Sequence, residues 1–187
     1  MKIEQTPLPG VLVVHPDVFG DHRGYFQESW NQRKYAELGL EVDFVQDNLS
    51  FSKRGILRGL HFQNPRPQGK LVQALQGEVF DVAVDIRKGS PTFGQWFGMV
   101  LSVENHLQMY VPEGFAHGFC VLSETALFAY KCTEFYNPQS EHSLRFDDPD
   151  IGIEWPLDEI PSLSAKDKDA KQLNDFPQDL LPVFSNT

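Results

Sequence analysis

The chain has no apolar run approaching the roughly 18 residues of a membrane-spanning helix. Its first residues, MKIEQTPLPG, lack the basic-then-apolar pattern of a secretion signal. Cysteine is scarce: Cys120 and Cys132 are the only two in 187 residues. They form no C-x-x-C spacing, and without a secretion signal they read as reduced and packed rather than as a disulfide scaffold. Positive charge is outweighed throughout. The formal net charge of -10 repels nucleic acid and anionic membrane, which excludes both as natural partners. Repeats and low-complexity linkers are also missing. These absences point to a soluble cytoplasmic protein, and 41% apolar residues suffice for the core of a single domain.

One further absence is local. From Asn48 to Gly77 there is no Asp or Glu, while the same stretch holds Lys53, Arg54, Arg58, Arg66 and Lys70. A basic stretch on an acidic protein suggests a small anionic ligand. For Lys53, Arg54 and Arg66 a solvated loop explains the charge equally well. It does not explain Arg58, which lies inside the apolar run LRGLHFQ (57–63) together with His61. A packed core normally excludes both side chains.

Most of what is present reads as short β segments broken by Gly and Pro. The pattern predicts strands over Gly10–Val14, Gly24–Trp30, Phe44–Phe51, Ile56–Gln63, Lys70–Gln76, Glu78–Ile86, Trp96–Ser102, Gln108–Val111, Gly118–Leu122, Ala126–Phe135 and Ser143–Phe146. EVFDVAVDI alternates most clearly: Phe80, Val82, Val84 and Ile86 face one way, Val79, Asp81, Ala83 and Asp85 the other. Many short strands at this spacing mean a sandwich, jelly roll or barrel. Helices are predicted near Asn31–Leu38, with Asn31 as N-cap and Gly39 past the end, and after Ser164. The Asp- and Pro-rich segment from Asp147 to Pro161 reads as an ordered tail, and the arm after Asp175 as loosely held.

Several residues could carry chemistry. His61 is either a satisfied core histidine or a general base. Arg58 has the opposite strand parity, so the two share a site only if Gly59 allows a bulge. Lys70 heads a strand and can stabilise an oxyanion, bind a phosphate or stand exposed at the strand end. Tyr130 and Tyr136 share parity, which suits a general acid or a stacking platform as well as core filling. In SLSAKDKDA, Asp167 completes an S-x-x-D capping box or orients a histidine. Arg23 and Glu28, in FGDHRGYFQES, lie on a ligand-facing or an edge strand.

YVPEGFAHGF carries the P-x-G-x-x-H spacing of Pro112, Gly114 and His117. It resembles the second half of the cupin signature, in which the histidine binds a metal. The matching first half should supply H-x-H but reads His61-Phe62-Gln63, and a third ligand is not evident, so no metal is expected. His117 is better read as a hydrogen-bond donor to an anion.

Taken in order, FGDHRGYFQES, FVQDNLS, RGILRGLHFQ, QGKLV, GEVFDVAVDIRKGSPTFGQW, VPEGFAHGF, YKCTEFYNP and LSAKD resemble the dTDP-4-dehydrorhamnose 3,5-epimerase family from about Thr6 to Asp169. The resemblance implies a mainly β, cupin-type jelly roll over 1–187, with the tail 147–187 wrapping the barrel. It implies a homodimer in which an N-terminal strand crosses to the partner, and no metal or organic cofactor. It implies a dTDP-4-keto-6-deoxysugar as substrate, inverted at carbons 3 and 5. By the same resemblance His61 is the base, Asp167 its dyad partner, Tyr130 the acid on the opposite face, and Lys70 the residue near the keto oxygen. Arg23, Glu28, Gln46, Asp47, Asn48, Arg58, His117, Glu141 and Lys166 match positions that hold the nucleotide sugar, and Tyr136 looks like an aromatic contact to it. No catalytic position departs from the pattern. The competing readings are an epimerase acting at one carbon only, a metal-dependent cupin oxygenase and a non-catalytic sugar-binding jelly roll.

Overall fold

Period-two alternation builds nearly all of the chain. The computed structural model describes residues 1–185. In chain order its elements are β1 (Lys2–Gln5), β2 (Leu12–His15), β3 (Val18–Asp21), β4 (Gly24–Gln27), α1 (Gln32–Glu37), β5 (Gln46–Lys53), β6 (Leu57–Gln63), β7 (Lys70–Gln76), β8 (Glu78–Asp85), β9 (Trp96–Ser102), β10 (Gln108–Val111), β11 (Phe115–Val121), β12 (Thr125–Cys132), β13 (Glu141–Ser143) and α2 (Ala165–Lys168). The predicted β7, β9 and β10 match residue for residue. β1 and β3 were not predicted: KIEQ and VFGD are short and largely exposed, so no buried face marks them.

Two antiparallel sheets face each other. One has six strands in the order β1-β2-β10-β7-β12-β5, the other five in the order β13-β6-β11-β8-β9, and β3-β4 form a separate hairpin. Val72, Ala74 and Phe128 from the first sheet pack against Val79, Ala83 and Phe119 from the second, all buried. Burying each of the valines and phenylalanines among them contributes about 1.5–3 kcal/mol relative to exposure. The fold is therefore mainly β and cupin-like, as expected.

The outer faces differ. Val82 and Val84, the other parity of β8, and Ile86 just past its end lie under Ile151, Leu173, Phe176 and Leu181 of the C-terminal segment. Both faces of that strand are thus buried. Residues 176–184 of the arm after Asp175 are not loosely held, contrary to the sequence reading. Phe176 and Leu181 are buried, Val183 bridges to Lys88, and Arg87 lies between the rings of Phe115 and Phe184. The scattered apolar residues of that arm have no period that announces their burial. Residues 186–187 of the expected tail lie outside the described residues. Over the six-stranded sheet, α1 closes one end. Asn31 caps it by accepting from Lys34 N–H, Gly39 follows at φ +94°, and Tyr35 buries itself with Leu12, Val14, Leu71 and Tyr110. The β12–β5 end of that face stays uncovered, with Leu49 68% and Phe51 58% exposed. No described helix is long and apolar enough to cross a membrane.

Candidate active site

At one end of the sandwich the sheets enclose two adjoining hollows of about 200 and 450 Å³. Both are lined by His61, Lys70, Tyr130 and Glu141. β6 brings Arg58 and His61 to the same side through a bulge. His61 pairs with His117, but Arg58, not Gly59, pairs with Phe119, so one extra residue is accommodated on β6. Gly59 is required there. It holds φ +128°, and a Cβ would lie 2.5 Å from Gly118 Cα.

His61 Nε2 lies 2.6 Å from Asp167 Oδ1. The S-x-x-D motif resolves to the second reading for Asp167, while Ser164 caps the helix alone and the return half of the capping box is absent. Ser164 Oγ accepts the Asp167 N–H at 3.2 Å and caps α2, while the Asp167 carboxylate turns to the imidazole. With Nε2 committed to the carboxylate, Nδ1 is left as the proton acceptor. Burial pushes the His61 pKa below 6.5, partly offset by the hydrogen bond and charge of Asp167. Burial also acts on Asp167, but the bonds from His61 and Ser164 outweigh it and hold the carboxyl below its usual range. The result is a neutral imidazole beside a carboxylate at neutral pH.

Tyr130 stands on β12 of the opposite sheet, beside Asn48. Burial raises its pKa, so the phenol keeps its proton. Lys70 is buried at the start of β7, opposite Cys132. Burial lowers its pKa, while Cys132, Asp81 and Glu141 act the other way. A base on one sheet, with an acid and a lysine on neighbouring strands of the other, suits proton abstraction and return on a flat intermediate.

A family model described as dTDP-4-dehydrorhamnose 3,5-epimerase matches residues 5–175. The chain belongs to this family. It is 58% identical over 176 residues to the dTDP-4-dehydrorhamnose 3,5-epimerase of Salmonella typhimurium, covering 93% of this chain and 96% of the relative. Among solved structures it superimposes on the dTDP-6-deoxy-D-glucose-3,5-epimerase of Legionella pneumophila in complex with dTDP-4-keto-L-rhamnose. The TM-score is 0.96 at 54% identity, covering 98% of each chain. A 3'-monoepimerase from Streptomyces bikiniensis, in complex with dTDP-quinovose, shares the fold at TM-score 0.88 and 35% identity, over 96% of this chain and 93% of that one.

In this member of the epimerase family the remaining residues divide into two groups. At the mouth, Glu141 joins two neighbours: Oε1 pairs with Lys166 Nζ at 2.8 Å and Oε2 accepts from Tyr136 Oη at 3.0 Å. Gln46 and Asn48 line the smaller hollow, with Gln46 Nε2 donating to Asn48 Oδ1. Arg58 Nε donates to Ser52 Oγ at 3.1 Å, leaving its terminal nitrogens to the larger hollow. Three expected ligand residues are not brought in. Asp47 has the outward parity of β5 and binds Lys131 at 2.9 Å. Arg23 is held by Asp21 on the β3–β4 hairpin, and Glu28 pairs with Lys34. Tyr136 does reach the hollow, but not by strand parity, because β12 ends at Cys132.

Sequence reasoning missed Asp81. This fully buried carboxylate accepts from His117 Nε2 at 2.9 and 3.1 Å, so His117 serves an internal anion first. Burial raises the Asp81 pKa, against the pull of His117 and Lys70. Its inward parity with Val79 and Ala83 was the available signal. His61 and His117 face each other in register, where a cupin metal would lie. Each gives Nε2 to a carboxylate of its own, and the described residues gather no group of three His, Cys, Asp or Glu suited to a metal.

Proposed function

We propose that this chain converts dTDP-4-dehydro-6-deoxy-D-glucose to dTDP-4-dehydro-L-rhamnose by inverting carbons 3 and 5. The observation that carries this reading is His61 on one sheet, backed by Asp167 of α2, and Tyr130 on the other sheet, with His61 and Tyr130 lining the same hollow. Both carbons flank the carbon 4 ketone, so loss of either proton yields an enolate. His61 Nδ1 takes the proton, and the electron pair moves onto the carbonyl oxygen, stabilised by the Lys70 ammonium. Tyr130 Oη–H then protonates the same carbon from the other face and the carbonyl re-forms. Solvent restores the phenol and takes the proton from the imidazole, and the cycle repeats at the second carbon.

The other residues serve binding in this reading. Arg58 meets the diphosphate, His117 lines the same hollow with its Nε2 held by Asp81, Tyr136 offers its ring to the base, and Gln46, Asn48, Glu141 and Lys166 line the way in. Arg23, Glu28 and Asp47 serve across a homodimer. Its support is the exposed apolar surface of Phe19 and Phe26 on the hairpin and Leu49 and Phe51 on the sheet, with the strand exchange that the family resemblance implies. The reading keeps the chain in the cytoplasm, in agreement with its two unbridged buried cysteines.

The test is incubation with dTDP-4-dehydro-6-deoxy-D-glucose in deuterated water, followed by NMR and mass spectrometry with a reductase trap. Deuterium is expected at both carbons in the L-configured product, with uptake abolished in His61→Asn while dTDP affinity changes little. Deuterium at one carbon would move the chain to a single-site epimerase. No exchange with dTDP still bound would leave only a binding protein.

A further inference from the structure

β12 ends at Cys132, yet four residues later Tyr136 stands at the mouth of the hollow. Its surroundings explain what holds it there. Gln63 lies two residues after His61 on β6, 96% buried by its 4% exposure, on the same face. Its Nε2 donates to Arg66 O at 2.9 Å and to Phe135 O at 3.3 Å, and its Oε1 accepts from Asn137 N–H at 2.8 Å. The last two partners belong to the peptide groups immediately before and after Tyr136. Fixing both planes fixes the direction in which the tyrosine leaves the chain. Gln46 Oε1 accepts from Tyr136 N–H at 2.8 Å, and Gln68 Nε2 donates to Glu134 O at 2.8 Å. Glutamine side chains therefore replace strand pairing across this loop.

Gln63 occupies the place of the second histidine in a cupin H-x-H. Its amide is committed to backbone, with both N–H donors and the carbonyl engaged, and is not free for a ligand. We infer that Gln63 is a positioning residue that sets affinity for the nucleotide by holding Tyr136 in place. This rests on the reading above, in which the nucleotide base lies against Tyr136. Without the clamp the loop samples other conformations and binding bears the cost of ordering it.

The experiment is a double-mutant cycle read by calorimetric titration of dTDP alone. Gln63→Met keeps size and removes all three bonds, and Gln63→Glu keeps the acceptor for Asn137 N–H but loses both donors. Gln63→Met is expected to weaken dTDP binding about tenfold, with kcat at saturating substrate falling less than about threefold. Tyr136→Ala is expected to weaken binding at least as much. The double variant should match Tyr136→Ala within about twofold, because the clamp has nothing left to hold. Multiplicative losses in the double variant would overturn the inference, since Gln63 would then act independently of Tyr136. Weak binding by Tyr136→Ala with normal binding by Gln63→Met would overturn the clamp and leave Tyr136 as a contact. Normal binding by Tyr136→Ala would remove the reading of Tyr136 and the clamp with it. Should Gln63→Met not fold, Gln63→Glu takes its place in the cycle, with unchanged dTDP affinity again overturning the inference.

Discussion

Asp167→Asn removes one charge from behind the base and keeps nearly the same shape. Asp167 is almost fully buried, and its carboxylate lies 2.6 Å from His61 Nε2. When His61 takes a proton from the sugar, this carboxylate is the charge that meets the new imidazolium. A hydrogen bond to a charged group is worth about 1.5–3 kcal/mol, or about 10- to 150-fold in rate. The amide adds a second loss. Its NH₂ can turn toward Nε2, which places the imidazole proton on Nδ1 and removes the lone pair from the hollow. The same substitution behind a triad histidine lowers kcat about 10⁴-fold. Between these limits, kcat is expected to fall about 10²- to 10⁴-fold. The pH dependence has a definite sign. Burial lowers the His61 pKa below 6.5, and Asp167 holds it up against that effect. Without Asp167 the pKa falls further, so protonation silences the base only at lower pH. The acidic limb of kcat/KM should therefore move to lower pH while the rate falls. Deuterium uptake at carbons 3 and 5, followed from about pH 5 to 8, reads both effects, and a dTDP titration checks that binding survives. A rate within tenfold of the parent, or an acidic limb displaced to higher pH, would refute the dyad.

Tyr130→Phe should still lose a sugar proton to His61, yet fail to gain one on the other face. NMR should show deuterium entering with retained configuration, and normal inversion would remove Tyr130 from its role. Gly59→Ala forces a Cβ within 2.5 Å of Gly118 Cα at φ +128°. A loss of roughly 2–5 kcal/mol is expected in urea unfolding, and a loss under about 1 kcal/mol would mean that β6 can relax without its glycine. If the proposed homodimer forms through this face, replacing Leu49 and Phe51, 68% and 58% exposed on it, by Asp should leave a 21.3 kDa monomer in sedimentation, and a parent that already sediments as a monomer would remove the dimer from the reading. An unchanged dimer would locate the interface elsewhere.

What could be read from the sequence was whatever repeats locally. Alternation in EVFDVAVDI and the turn signals around it sufficed for a strand-rich sandwich, because side-chain direction along a strand has a period of two wherever the strand lies. Short polar edge strands such as β1 escaped because no buried face patterns them. Motif order from FGDHRGYFQES to LSAKD identified the family and named His61, Lys70 and Tyr130 as residues to watch. Tertiary structure decided how they meet. His61 and Asp167 are 106 positions apart and touch only because a tail helix docks beside β6. Arg58 joins His61 through a bulge that strict parity forbids. Asp81 meets His117 because β8 and β11 are neighbours, and Gln63 grips a loop that it never adjoins in sequence. Each meeting depends on how segments distant in sequence are packed together. Local alternation fixes which side chains of a strand turn inward, but not which distant strand or tail segment lies beside them.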